Sequence, residues 1–592
     1  MTKQIPRSEH PRPDKYRESW LCLNGEWDFA FDESGIGEAE KWQGRTTLDT
    51  KITVPFVYQC ELSGLNDKRH SDYIWYHRTV TVPAEFEGKR VLLHFGAADY
   101  ITKVWLDGQY LGSHEGGYTP FEFDITNHVK CDGKKKHHLS VMCEDRLDTE
   151  QPRGKQSFRP ENFACWYAPM SGIWQSVWLE AVGINYIKEV RITPDVDHAS
   201  VKFEINANNV PEGMKAKVEV SYKGAPVVDG TVSFSHRRAE VTLSLGHDET
   251  IEGFHYWFPA TPNLYDVNVS LVKDDVVEDS LVTYFGMRKL EIIGDRIFLN
   301  YREIYQRLIL DQGYWKDGLL TAPTDDALKL DIELTRKLGF NGARKHQKFE
   351  DPRYLYWADK LGLLVWGELP SAYWFNDAEK RNMLRDLSEA IARDYNHPAL
   401  IAWVPLNESW GVYAIKENKE MQQLNDMLYH VVHSLDGTRF VSGNDGWEQA
   451  ETDIVTAHDY TAYNKDLRHE DYEDAEIFGL GCPNKSRTVT ADNYDNTDKP
   501  CLLTEYGGIA FSKDSGNGNW GYNGAVNDEE VFLARYDDIT TAFKSLPYIR
   551  GYCYTQLTDV FQEVNGLLDM DRNPKVSVDK IRAINVRARH CK

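Results

Sequence analysis

The stretch Thr324-Asp-Asp-Ala-Leu-Lys-Leu-Asp-Ile-Glu-Leu-Thr-Arg-Lys-Leu-Gly-Phe-Asn-Gly-Ala-Arg344 decides the architecture. Asp325–Leu338 reads as an amphipathic helix entered through the cap-like pair Pro323-Thr324. Phe340–Arg344 then reads as a strand. Working outward, the same alternation continues in both directions. A strand at Tyr305–Leu310 precedes the helix. Strands at Leu363–Glu368, Leu400–Val404, Phe440–Ser442, Ile454–Ala457, Cys501–Thr504 and Ile549–Tyr554 follow. Helices at Pro352–Leu361, Ala378–Tyr395, Lys416–Ser434 and Glu529–Ser545 fall between them. Strands alternating with helices mean a parallel sheet, because each return crossing needs a helix's length. Eight such strands over residues 286–592 predict a closed (β/α)8 barrel. A doubly wound open sheet is the alternative, but neither GxGxxG nor a P-loop supports it.

Upstream the period changes from helical to strand-like. Val91, Leu93 and Phe95 alternate with Leu92 and His94, and Asp107-Gly108 marks a hairpin turn inside Lys103–Gly112. Residues 1–183 therefore read as a jelly-roll β-sandwich. Residues 184–285 repeat the texture in a smaller unit. Val201, Phe203 and Ile205 alternate there, as do Val218, Val220 and Tyr222, which predicts an immunoglobulin-like sandwich.

Bulk chemistry excludes several functions. A formal net charge of −24 repels nucleic acid and anionic membranes, so neither is expected as a partner. No run of 18 apolar residues exists to span a bilayer. Met1–Pro13 lacks the apolar core of a signal peptide, and nine cysteines occur without CxxC spacing. The chain thus reads as a cytoplasmic protein with reduced thiols, without a zinc site.

In such a barrel, reactive groups collect at the C-terminal ends of the strands. Glu408 ends the fourth strand and Glu505 the seventh. Two carboxylates facing one bond are what acetal hydrolysis requires: one gives a proton to the leaving oxygen, the other attacks the anomeric carbon or activates water. Capping of helix N-termini is the structural alternative for each glutamate taken singly.

Asn396-His-Pro-Ala-Leu-Ile-Ala-Trp-Val-Pro-Leu-Asn-Glu-Ser-Trp410 resembles the acid/base segment of family 2 glycoside hydrolases, the group of β-galactosidases, β-glucuronidases and β-mannosidases. Cys501-Leu-Leu-Thr-Glu-Tyr-Gly507 resembles their nucleophile segment. Leu23–Phe29 and Ser171–Leu179 are similar to motifs of the family's jelly roll, and Asp571–Lys575 to its barrel terminus. The resemblance implies that Glu408 is the acid/base and Glu505 the nucleophile. It implies that Asn407 bonds the sugar 2-hydroxyl, that Tyr460 donates to Glu505, and that Arg344 lies beneath Glu505. An ion pair without catalytic duty is the alternative for Arg344. His346, Glu368 and Trp410 are further candidate substrate-binding residues, with rim ion pairs or packing as their alternatives.

Departures from the family pattern bear on substrate. Ile309-Leu-Asp-Gln312 replaces the metal-pocket segment of family β-galactosidases, so no metal and no cofactor is expected. Glu563-Val-Asn565 stands where β-glucuronidases carry an Asn-X-Lys carboxylate clamp, which disfavours uronides unless Lys345 or His346 substitutes. The expected activity is that of a retaining exo-glycosidase of β-galactoside type acting on a glycoside or oligosaccharide. Glucuronidase, galacturonidase, mannosidase and α-L-arabinosidase specificities stay open, as do a non-catalytic carbohydrate-binding protein and a transglycosylase. Homo-oligomerisation is also open.

Overall fold

Asp107 and Gly108 both adopt left-handed backbone, with φ of 50° and 77°, and join strands Ile101–Leu106 and Gln109–Glu115. That is the turn an Asp-Gly pair favours, since both central residues need positive φ. The computed structural model describes residues 5–246, 253–466, 487–511 and 519–589. The hairpin belongs to a six-stranded antiparallel sheet, which faces a four-stranded one containing Arg90–Phe95. Trp27, Phe29, Tyr76 and Val141 of the larger sheet share one core with Val91, Leu93 and Phe95 of the smaller. A second, separate sandwich packs a three-stranded sheet against a four-stranded one. Its core joins Val201, Phe203 and Ile205 to Val218, Val220 and Val267.

The remaining chain forms the expected barrel. Its strands are β1 (Gln306–Asp311), β2 (Gly342–Lys345), β3 (Leu364–Glu368), β4 (Leu400–Val404), β5 (Phe440–Val441), β6 (Val455–Asp459), β7 (Cys501–Gly507) and β8 (Ile549–Thr555). They pair in parallel in the order β5-β4-β3-β2-β1-β8-β7-β6. The helices are α1 (Asp325–Lys337), α2 (Pro352–Leu361), α3 (Asp377–Asp394), α4 (Lys419–Leu435), α5 (Glu529–Ser545) and α6 (Val578–Val586). Thr324 caps α1 as expected, its hydroxyl accepting from the Ala327 N–H at 3.1 Å.

Between β5 and β6 side chains do the work of a ladder. Asp453 Oδ2 accepts from the Val441 N–H at 2.8 Å, and Thr456 Oγ1 from the Gly446 N–H at 2.8 Å. Gln449 Nε2 donates to the Thr456 carbonyl at 2.7 Å. These bonds satisfy backbone groups that would otherwise be buried without partners.

The jelly roll does not stop at its own core. Residues 145–171 cross to the barrel mouth, where the Arg153 and Gly154 N–H groups both donate to the Ser371 carbonyl at 3.0 Å. At Gly154, φ is 59° and a Cβ would meet the Gln347 carbonyl at 2.2 Å, so only glycine lets the two domains approach this closely.

Candidate active site

β4 runs straight into the site. After Val404, Asn407 is buried, and Glu408 and Ser409 turn sharply with φ of 53° and 57°. Left-handed backbone is uncommon for non-glycine residues and marks a constrained site. The constraint is visible: the Glu408 N–H donates to the Asp445 carbonyl at 2.9 Å, and the Ser409 N–H to Asn444 Oδ1 at 3.0 Å. The turn thereby aims the Glu408 carboxylate across the mouth. Glu505, within β7, points at the same space. One carboxylate oxygen from each glutamate and a nitrogen of His458 all lie within 4.8 Å of one another.

Arg344, fully buried on β2, organises the floor. Its Nε donates to Glu368 Oε1 at 2.8 Å, and Nη1 to the Thr504 carbonyl at 2.7 Å and to Glu505 Oε1 at 3.3 Å. Nη2 lies 2.8 Å from Asp445 Oδ2 and donates to Asn407 Oδ1 at 3.1 Å. That last bond fixes the Asn407 amide, and its buried Nδ2 has no partner among the described residues. Tyr460 hydroxyl donates to Glu505 Oε2 in a short bond, and its ring stacks on Tyr522 at 3.5 Å.

Every residue expected at the mouth is near it, but not all face it. Glu368 is spent on the floor, accepting from Arg344, from His346 Nδ1 at 2.8 Å and from the Gln347 N–H at 3.0 Å. It positions Arg344 and His346 and has little left for a sugar hydroxyl. Trp410 Nε1 donates to Glu408 Oε2 at 3.2 Å, and its ring packs edge-on against Trp166 and Tyr373. Trp366 is buried in the barrel with its Nε1 on Gln306, while Trp374 is exposed. Lys345 points behind β2 to Asp311 and Glu350, each at 3.0 Å, so it is not a cation for substrate.

Sequence reasoning did not single out four groups here. His458 at the end of β6 is fully buried, with Nδ1 at 2.9 Å from Glu408 Oε1 and Nε2 at 2.9 Å from Asp445 Oδ2. Asp445 follows β5 and receives Arg344 as well. Asp459-Tyr460 follows His458 in the sequence, but no spacing rule links that histidine to Glu408. Tyr167 and Lys155 come from the jelly roll, more than 240 residues from Glu408 and more than 330 from Glu505 in sequence. Tyr167 hydroxyl donates to Glu563 Oε2 at 2.8 Å, and its N–H to the Lys155 carbonyl at 2.8 Å.

Charge is distributed accordingly. Burial opposes the His458 charge, but Glu505, Asp445 and Glu408 overcome it and raise the imidazole to about 10. Burial would lift the Glu408 carboxyl, yet the His458 hydrogen bond and charge, then Lys155 and His346, hold it below the usual carboxylate range. Burial pushes Glu563 up, only partly offset by Lys155, Tyr167 and Asn565. The resting site is a charged, proton-holding network. Its carboxylates and His458 converge closely enough to suit a small cation, but Glu505 is already engaged by Arg344 and Tyr460, His458 by Asp445, and Glu408 by His458 and Trp410.

Comparison with known proteins bears on the family and the fold. Family profiles match residues 21–181 (glycosyl hydrolases family 2, sugar binding domain), 185–288 (glycosyl hydrolases family 2) and 321–587 (glycosyl hydrolases family 2, TIM barrel domain). The chain is 27% identical over 567 residues to a β-galactosidase of Thermoanaerobacter pseudethanolicus, covering 92% of this chain and 69% of that one. It is 24% identical to a β-glucuronidase of Paenibacillus borealis, covering 83% of each. Among solved structures, a β-glucuronidase of Lactobacillus rhamnosus superposes with a TM-score of 0.79 at 19% identity, over 98% of this chain and 99% of that one.

Proposed function

The chain belongs to glycosyl hydrolase family 2 and acts on glycosides; from that premise we propose a retaining exo-glycosidase of β-galactoside type. The observation that carries the mechanism is the approach of Glu408 and Glu505 oxygens to within 4.8 Å. Retaining enzymes hold their carboxyl groups about 5–5.5 Å apart, while inverting ones leave about 6.5–9.5 Å for a water. Glu505 attacks the anomeric carbon while Glu408 protonates the departing oxygen. Water then enters against Glu408 and releases the sugar with its configuration kept. Arg344 and Tyr460 hold Glu505 in line, and Asn407 Nδ2 offers a hydrogen bond to the 2-hydroxyl. The jelly-roll segment that carries Lys155 and Tyr167 packs on Glu563 and Trp410 beside the two glutamates, which supports exo action.

Glu563 supports a neutral glycone. A substrate carboxylate placed beside it would add a like charge to a buried anionic site. The uronide reading has one observation in its favour. Lys155 is buried beside Cys165, with Glu408 and Glu563 the carboxylates that act on its charge.

An aryl-glycoside panel separates these readings: β-galactoside turnover is expected to exceed β-glucuronide and β-galacturonide turnover. Glu505→Ala is expected to lose activity by several orders of magnitude and to yield a glycosyl azide of inverted configuration when azide is added. A uronide preference would overturn the glycone assignment. Absence of azide rescue would overturn Glu505 as nucleophile.

A further inference from the structure

His458 is a histidine with carboxylates on both ring nitrogens. Glu408 Oε1 stands 2.9 Å from Nδ1, and Asp445 Oδ2 stands 2.9 Å from Nε2, with Glu505 Oε1 3.6 Å from the latter. An ionised carboxylate only accepts hydrogen bonds, and a neutral imidazole has one donor. Two protonation patterns fit this arrangement. The ring is an imidazolium between two carboxylates, or it is an imidazole donating to Asp445 while a protonated Glu408 donates to Nδ1. The patterns differ only in the position of one proton within the Glu408–His458 hydrogen bond. The Asp445 end stays fixed in both, because Arg344 Nη2 binds the same carboxylate oxygen at 2.8 Å.

The ring itself cannot drift. Gly446 lies against it so closely that a Cβ would meet the ring carbon at 2.7 Å, and Trp447 covers it edge-on at 5.5 Å. Among the described residues, charged groups face it from Glu408 after β4, Asp445 after β5 and Glu505 on β7, with Arg344 on β2 acting through Asp445.

We propose that His458 is the positioning residue that stores the proton Glu408 delivers to the leaving group. This rests on the acid/base assignment of Glu408 made above. As the glycosidic oxygen departs, the Nδ1–H bond breaks and an O–H bond forms on Glu408. That proton passes to the oxygen while the C1–O bond breaks and a C1–O bond to Glu505 forms. Glu505 thereby loses its charge, which is the foremost influence raising His458 basicity. The imidazole is left neutral and Glu408 ionised, which is what the second step needs of a base. Water attacks C1 as the C1–O bond to Glu505 breaks; the water's proton goes to Glu408 and on to Nδ1, and Glu505 regains its charge. One proton leaves the pair and one comes back, with no other reactant.

The test is His458→Asn, with His458→Gln as a second variant, assayed over pH on alkyl and 2,4-dinitrophenyl glycosides of the preferred sugar. A dinitrophenyl group departs without a proton, so its rate reports whether the site is intact. The expected result is a loss of about 100-fold or more on alkyl glycosides and under about 10-fold on dinitrophenyl ones. The alkaline limb of kcat/KM for alkyl glycosides should also move at least one unit toward acid, because a carboxyl alone then holds the proton. Equal losses on both substrates, or an unmoved alkaline limb, would overturn the proposal. Glu408→Ala run alongside separates the two levels. Leaving-group dependence in that variant with an unmoved limb in His458→Asn removes only the role of His458. No leaving-group dependence in Glu408→Ala removes the acid/base assignment, and the proposal with it.

Discussion

Glu408 is held in left-handed backbone so that one carboxylate oxygen meets His458 and the other meets Trp410 Nε1 at 3.2 Å. Removing the carboxyl should therefore cost chemistry far more than structure, since neither neighbour depends on it for burial. In Glu408→Ala, kcat/KM is expected to fall about 100- to 10,000-fold for glycosides with poor leaving groups and far less for activated aryl ones. A uniform fall across leaving groups would contradict the assignment. Much of this site is legible in the sequence. Asn407, Glu408 and Glu505 sit at strand ends, where barrel geometry alone sends them to one mouth. Arg344 and Tyr460 followed by resemblance. The ring of His458 was not legible, because a buried histidine between polar neighbours reads the same whether it packs or holds a proton. Glu368 shows the converse: a glutamate at a strand end, read as facing substrate, is drawn down by Arg344, whose guanidinium needs that carboxylate once buried.

Elements were most legible where their ends are chemically marked. Pro352–Leu361 and Glu529–Ser545 match the expected helices to the residue, and Asp351 and Asp528 cap them through their carboxylates. β5 is the weakest strand of the barrel, two residues long; among the described residues it forms no ladder with β6, though the Asp453 N–H donates to the Val441 carbonyl at 2.8 Å. Asp453 compensates. Its carboxylate accepts from the Val441 N–H at 2.8 Å, from Tyr429 hydroxyl at 2.8 Å and from His433 Nε2 at 2.9 Å, tying β5 to α4 across the seam. Side-chain closure of this kind leaves no trace in hydrophobic periodicity, so it could not be read from the sequence. Asp453→Ala strands a buried backbone donor, a loss of about 1–3 kcal/mol. Calorimetry should show the barrel transition at lower temperature, with Asp453→Asn losing less because its carbonyl still accepts. Equal transitions in wild type and Asp453→Ala would show that the seam closes by other means.

At the scale of the whole molecule, the jelly roll supplies part of the mouth, and the packing that holds it there includes a buried acid. Asp386 of α3 is inaccessible. Arg385 holds its Oδ1 at 2.9 Å and also bonds Tyr100 hydroxyl at 2.7 Å and Glu115 at 3.1 Å, both on the jelly roll. Gly116 of the jelly roll closes over the same carboxyl, where a Cβ would come within 3.1 Å of Oδ1. Its Oδ2 has no partner among the described residues. Burial raises this carboxyl to about 7; Arg385 offsets part of that, and Glu389 and Glu115 add to it. The sign follows from linkage. The unfolded chain gives up this proton near 3.8 and the folded chain near 7, so the folded state binds more protons in between. The stability Asp386 contributes is complete below about 3.8 and is lost as pH rises to about 7, after which the loss is constant. Asp386→Asn keeps the shape without the charge. Its melting temperature relative to wild type should climb between those two pH values and then level off. A difference that stays constant across the window would mean that the carboxyl is ionised throughout, and that solvent reaches the interface between jelly roll and barrel.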